Sequence, residues 1–452
     1  TRTPIGKGSL TMTHVFHRAL TTEYPIAVKG SGAYIYDSTG KEYLDACGGA
    51  AVSCLGHSNE AVAAAIRGQL EDIAFAHSGF FTNPAMEELA DFLIERAPGD
   101  LDKVYFVSGG SEAVEAALKL ARQYFLEKGE RGRTRFISRR QSYHGNTLGA
   151  LSAGGNEWRR EPYAPLLMPV ELISPCYAYR EKWDGETEFE FGQRVANELE
   201  TAILQAGPET ICGFICEPVV GATLGAVPAV DGYFKRIREI CDTYGVLLIL
   251  DEVMCGMGRT GTLFAVEQEG VAPDILVTAK GLGAGYQPIG AMLATKEIFD
   301  AIKTGSGFFQ HGHTYMGHPL ACAASLAVQK YIEENDLLSN VRARGMELTD
   351  ALQAQFGQHP CVGDIRGRGL FIGLELVSDR ARKDPFDPSM KIHARTKAAA
   401  LQEGLMCYPM GGTIDGRRGD HILLAPPFIT TSNQVHEIVD KLGRALDVSL
   451  KG

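Results

Sequence analysis

No stretch of this sequence approaches the ~20 consecutive apolar residues that a membrane-spanning helix needs, and its opening residues carry no apolar signal-like region. No run of basic residues occurs either. With 44 Lys and Arg against 55 Asp and Glu, the formal charge of −11 argues against nucleic-acid or anionic-membrane partners. Ten cysteines are scattered without a Cys-x-x-Cys pair, so they are expected to be reduced core residues, and the protein to be soluble and cytoplasmic. Internal repeats and low-complexity tracts are absent. What remains is an ordinary globular composition, 45% hydrophobic and 22% charged, in a chain too long for one core of roughly 250–300 residues. Two domains are expected.

The centre of the chain carries the clearest pattern. Val246-Leu-Leu-Ile-Leu250 ends in Asp251, and Ile275-Leu-Val-Thr-Ala279 ends in Lys280. Such short apolar runs fit buried strands of a parallel sheet. Strands are also expected at 103–107, 135–138 and 211–216, with helices at 111–128, near Thr147 and at 231–244. This alternation implies an α/β domain with a mainly parallel sheet flanked by helices. Residues 154–190, rich in Pro, Gly and charge, are expected to form a surface excursion. Before this region come a short helical piece, an antiparallel element over 26–44, and two helices announced by Asn59 and by Asn83-Pro84. After it come helices at 319–334 and 338–356, strands near 369–376 and 421–424, and a final helix at 432–447. Residues 1–60 and 330–452 together should form a small α+β domain, with 61–329 as the large one.

Ligands bind beyond the carboxyl ends of parallel strands, so Asp251 and Lys280 would meet in one crevice. A buried carboxylate calls for a cation, and a desolvated lysine is pushed toward its neutral, nucleophilic form. Pyridoxal phosphate offers a pyridinium to the first and an aldehyde to the second. A turn-capping Asp251 and a solvated Lys280 are the plain alternatives. Ser108-Gly-Gly-Ser111 joins a strand to a helix, so Gly110 and Ser111 would offer an anion site; taken alone, the motif is more often a simple glycine turn with a Ser cap. Tyr143, after another strand, could stack on a flat ring, and Glu217 closes a further strand. The histidines 311, 313 and 318 do not have metal-ligand spacing; no metal is expected there, and Thr314 is read as a phosphate donor. Arg366 and Arg418 lie in glycine-rich segments read as turns, where either could clamp a substrate carboxylate.

Leu248-Ile-Leu-Asp-Glu-Val253, the Gly256-Met-Gly-Arg-Thr-Gly261 run and Asp274-Ile-Leu-Val-Thr-Ala-Lys-Gly281 resemble the class III, or ω-, aminotransferases of the fold-type I pyridoxal-phosphate enzymes. Ser-Gly-Gly-Ser-Glu-Ala, Tyr-His-Gly, Glu-Pro and His-Gly-His-Thr-Tyr are similar to that family's further motifs, in the same order. The resemblance implies a large PLP-transferase domain, a Schiff base on Lys280, and Asp251 at the ring nitrogen. It also implies Gly110 and Ser111 on the phosphate, Tyr143 and Val253 on the ring faces, and His144 and Glu217 beside the cofactor. The threonine matching Thr314 reaches the phosphate of a second subunit, which implies a homodimer with shared sites and leaves a tetramer open.

One departure stands out. Ornithine and 4-aminobutyrate aminotransferases pair the arginine matching Arg366 with a glutamate shortly after Glu-Pro, whereas this chain has Ala222. The sequence is therefore closer to ω-amine and ω-amino-acid aminotransferases, with pyruvate expected as acceptor in preference to 2-oxoglutarate. Arg417 is the nearest match to their mobile carboxylate-binding arginine, and Phe81 and Tyr163 are candidates for the pocket wall. A PLP-dependent aminomutase or decarboxylase is the alternative within the fold. A nucleotide-binding oxidoreductase is the alternative outside it, though it lacks a Gly-x-Gly-x-x-Gly motif and gives Lys280 no task.

Overall fold

Seven strands form the central sheet of the computed structural model, which describes residues 13–451. In spatial order they are Leu101–Val107, Gly290–Thr295, Ile275–Thr278, Leu247–Asp251, Ile211–Cys216, Arg135–Arg139 and Val170–Ile173. Every neighbouring pair is parallel except those made by Gly290–Thr295, which runs against both of its partners. The three innermost parallel strands are buried along their whole length. That burial explains why they read as continuous apolar runs rather than alternating ones. Helices cover both faces: one apolar cluster joins the sheet to Glu188–Ala206 and Tyr233–Tyr244, and another joins it to Gly110–Glu127.

The cap signals act as the sequence suggests. Asn59 accepts the amide of Val62 at the start of Glu60–Asp72, and Asn83 does the same for Met86, with Pro84 opening Pro84–Ile94. The two chain ends meet in a separate apolar cluster that unites Ala33 and Leu44 with residues of Leu337–Phe356 and Ser432–Ser449. Leu405 pairs in parallel with Leu44. A four-stranded antiparallel sheet lies beside it, in the order Val362–Arg368, Phe371–Leu376, Asp420–Leu424, Tyr408–Gly411.

Three expectations are corrected. The excursion over 154–190 contains an edge strand, Val170–Ile173, paired with Arg135–Arg139. Arg366 lies inside the strand Val362–Arg368, not in a turn, because its partner Phe371–Leu376 supplies a full antiparallel ladder through Gly367. No helix occurs over residues 13–26; the rest of the opening helical piece lies outside the described residues. The ten cysteines form no disulfide, and nine of them are buried. Burial pushes their thiols up, to about 12 for Cys54, Cys212 and Cys216. Among the described residues no helix is long and apolar enough to cross a membrane.

Candidate active site

Register brings the chemistry together. Parallel pairing sets Leu250 against Cys216 and Asp251 against Val277. Glu217 therefore emerges level with Asp251, and Lys280 three residues beyond Val277, all past the carboxyl ends of their strands. A cavity of about 430 Å³ opens at this edge, lined by Gly110, Ser111, Tyr143, His144, Glu217, Asp251, Val253 and Lys280 together with Val52, Ala222 and the segment Gln287-Pro288-Ile289. Eight residues singled out from the sequence thus share one wall system.

Asp251 is buried, and its Oδ2 lies 2.7 Å from Nδ1 of His144, which is fully enclosed. Its other oxygen accepts the Val253 amide at 2.9 Å. The carboxylate is oriented from two sides. Glu217 is also buried; its Oε1 accepts the Tyr143 amide at 3.4 Å, while Oε2 has no partner. Burial pushes its carboxyl up to about 7, Asp251 adds to this, and His144 opposes it. Lys280 follows its strand in a tight turn with φ of 43°, a left-handed conformation that few non-glycine residues adopt and that marks functional sites. Burial lowers its amine to about 8, against the pull of Asp251 and Glu217. About a tenth of the amine is therefore neutral at pH 7, far more than for an ordinary lysine.

The helix Gly110–Glu127 begins at the cavity with no side-chain cap on its first amides. Ser111 Oγ accepts the Asn146 amide at 3.1 Å and donates to Asn146 Oδ1 at 3.0 Å. The helix dipole and free amide hydrogens favour an anion there. Pyridoxal phosphate fits this donor set: an uncapped helix start for its phosphate, an amine near neutrality for its aldehyde, and a buried Glu217 oxygen that still needs a donor. A Cβ on Gly110 would lie 2.8 Å from Val253, so only glycine allows the helix start to approach the Val253 wall.

The remaining candidates stand elsewhere. Thr314 is exposed and lines a second cavity of about 700 Å³ with Tyr105 and His311. His311 and His313 face each other with Nε2 atoms 3.1 Å apart, and burial pushes His311 down to about 4. Among the described residues no cluster of three or more His, Cys, Asp or Glu could hold a metal. Phe81 and Tyr163 are exposed. Arg417 is exposed too, 3.5 Å from Glu161, and Arg418 pairs with Asp415 at 2.7 Å. Arg366 is sequestered: its guanidinium meets Glu375 at 2.8 Å and Asp364 at 3.0 Å, and donates to the carbonyls of Leu224 and Gly225. Glu375, not a residue after Glu217-Pro218, is the acid that meets Arg366.

Sequence reasoning missed several residues. Arg139, buried against Tyr233, donates to the Glu217 carbonyl at 2.5 Å. Arg159 lies over the ring of Tyr143, 4.6 Å from its centroid. Val52 and Gln287-Pro288-Ile289 complete the wall. None has a local signal: Val52 and Gln287-Pro288-Ile289 come to the wall from distant parts of the chain, and Arg139 and Arg159 touch lining residues without lining the cavity themselves.

Comparison with known proteins agrees with this geometry. The family profile for class-III aminotransferases matches residues 17–446. The chain is 44% identical to an uncharacterized aminotransferase of Schizosaccharomyces pombe over 96% of its own length and 95% of the relative's. It is 37% identical to gamma aminobutyrate transaminase 3, chloroplastic, of Solanum lycopersicum, over 92% and 79%. Among solved structures, an (S)-enantioselective omega-transaminase from Thermomicrobium roseum superposes with a TM-score of 0.91 at 37% identity, covering 97% of each chain. A PLP-bound amine transaminase from an uncultivated Pseudomonas species gives 0.89 at 37%, covering 96% and 99%. The strand-end acid and amine, the uncapped helix start and these matches lead to one conclusion: the chain belongs to the class-III aminotransferases, enzymes that depend on pyridoxal phosphate.

Proposed function

We propose that this aminotransferase moves the amino group of an ω-amino acid or a primary amine to a keto acid, with pyruvate preferred over 2-oxoglutarate. The observation that carries the preference is the sequestration of Arg366. This guanidinium is 9% exposed and tied to a fully buried Glu375, so it is not available to a second carboxylate on the acceptor. Similarity both to ω-transaminases and to a γ-aminobutyrate transaminase supports ω-amino donors.

Bound at the strand ends, pyridoxal phosphate supplies an aldehyde that takes up the amino group and a ring that accepts electrons. The chain supplies the rest. Lys280 Nζ would take the proton from the amine-bearing carbon of the substrate and deliver it, on the same face, to the cofactor carbon that carried the aldehyde. Asp251, oriented by His144, keeps a proton at the ring nitrogen. Gly110 and Ser111 would hold the phosphate, Tyr143 and Val253 would face the ring, and Glu217 would lie on its phenolic side. Arg417 sits on the rim in a weak ion pair, worth about 0–1 kcal/mol at this exposure, and so is free to swing toward a substrate carboxylate. A homodimer would place Thr314 at the phosphate of the neighbouring copy; the exposed Phe80, Phe81 and Tyr315 give that face an apolar character suited to burial.

A donor panel of β-alanine, 4-aminobutyrate and 1-phenylethylamine, each run against pyruvate and 2-oxoglutarate, tests the reading. The expected result is keto or aldehyde product without carbon dioxide, faster with pyruvate. Faster turnover with 2-oxoglutarate, or carbon dioxide release, would overturn it.

A further inference from the structure

The arginines near the cavity differ in how their charge is met. Arg139 donates to the Glu217 carbonyl, Arg160 to the carbonyls of Leu151 and Ser152 at 3.2 and 2.5 Å, and Arg366 to Glu375 and Asp364. Arg417 and Arg418 face Glu161 and Asp415. Arg159 has no hydrogen-bond or ion-pair partner for its side chain among the described residues, and its Nε is buried without one. What it has is aromatic: its guanidinium lies 4.6 Å from the centroid of Tyr143, a cavity-lining ring, and 5.6 Å from that of Trp158. Stacking on aromatic faces offsets part of the desolvation of a guanidinium, but it leaves the in-plane N–H donors unused.

The support under Arg159 is fixed. It sits in the turn Glu157–Arg160, whose preceding residue, Asn156, is buried and donates to Gln141 Oε1 at 2.9 Å. Gln141 in turn donates to the Gly412 carbonyl at 2.8 Å. The loop that carries Arg417 packs on the same turn, closely enough that a Cβ on Gly416 would lie 3.1 Å from the Trp158 nitrogen. The rim is thus one braced unit. Arg159 also lowers the basicity of Lys280, an effect smaller than those of burial, Asp251, Glu217 and Cys255.

We propose that Arg159 is the fixed anchor for the substrate carboxylate, receiving the keto acid acceptor and the acid end of ω-amino donors in bidentate fashion. This deepens the aminotransferase reading and rests on it. Arg417 is then an outer, mobile cation, and Arg159 the inner one that is present throughout the cycle. The planar fork of arginine suits a carboxylate, and its stacking on Tyr143 links recognition of the acid to the ring that lines the cofactor site.

Arg159→Met keeps the length and the packing on Tyr143 while removing the charge, and Arg159→Lys keeps the charge without the fork. In the cofactor-loaded enzyme, Arg159→Met should raise the KM for pyruvate about 10- to 100-fold, the scale of one charge-assisted contact. Inhibition by propionate, a carboxylate that cannot react, should weaken by the same factor. The single-turnover rate with benzylamine, read from the cofactor absorbance, should stay within about twofold, and Arg159→Lys should recover part of the pyruvate KM. Equal loss in the pyruvate and benzylamine half-reactions would overturn the proposal by reducing Arg159 to a support for Tyr143, and an unchanged KM would overturn it outright. Should Arg159→Met not fold, Arg159→Lys decides: a pyruvate KM raised less than about twofold, with propionate inhibition intact, overturns it. If the wild-type enzyme transfers no amino group, the function fails first, and propionate binding to the two variants still tests the anchor separately.

Discussion

Around Arg366 every buried charge meets a counter-charge, whereas around Lys280 the buried charges leave atoms unmet. Glu375 is fully buried, yet its two guanidinium neighbours, Arg366 and Arg180, outweigh that burial and hold its carboxyl below the usual range. Glu217 is buried to nearly the same degree; its Oε2 finds no donor, and its carboxyl rises to about 7. Lys280 shows the mirror effect, with burial pulling its amine down to about 8. The same groups under the same desolvation diverge because one cluster was completed by the chain and the other was left for a ligand. A closed cluster is architecture, and an open one is a site.

The sharpest way to break this contrast is to remove the open cluster's amine. Lys280→Ala should cut amino transfer by more than about 10,000-fold, since both its proton transfer and its covalent role vanish, with the fold retained by circular dichroism. A modest loss would mean that Lys280 is a bystander. Removing the closed cluster's acid should act on stability instead. Glu375→Ala leaves Arg366 buried without its main partner and should cost about 3–5 kcal/mol in urea unfolding; a loss under about 1 kcal/mol would show that the pair is not closed.

Titration of the cofactor-free protein sharpens the comparison further. The folded state holds the Glu217 proton up to about 7, above the ordinary carboxyl value of 4.5, so the native protein binds more protons than the unfolded chain between those values. Its contribution is therefore fully present below about pH 4.5 and lost as pH rises through about 7, roughly 3 kcal/mol in all. Glu217→Gln should remove this slope relative to wild type when urea midpoints are followed over that range. Parallel profiles would mean that the carboxyl is not desolvated. The smallest effect is expected at the exposed rim: Arg417→Ala should lower turnover of carboxylate-bearing substrates about tenfold, spare 1-phenylethylamine, and leave stability within about 0.5 kcal/mol. Equal loss for both substrate types would remove its role.

How much of this was legible in the sequence follows from how local each signal is. Asn59 and Asn83-Pro84 announced their helices because a cap is a contact over three residues. The strands ending at Cys216 and Asp251 were legible because burial on both faces leaves a continuous apolar run. The strand Gly290–Thr295 was not, although it is equally apolar, since its antiparallel direction depends on its neighbours. Val170–Ile173 was hidden by its setting among charged and proline-rich residues, being an edge strand with half its face in solvent. The partnership of Arg366 with Glu375 lies across a hairpin whose glycines give the sequence the look of a turn, and Arg159 carries no motif at all.

The order of residues alone determined the α/β class, the polar groups at the ends of the strands, and the family resemblance, because each is carried by short-range periodicity or by a contiguous motif. Only the tertiary structure decided which of those groups share a cavity, which arginine is neutralised and which stays unpaired, because burial and many of the partners come from distant segments, as with His144 and Asp251 or Arg180 and Glu375.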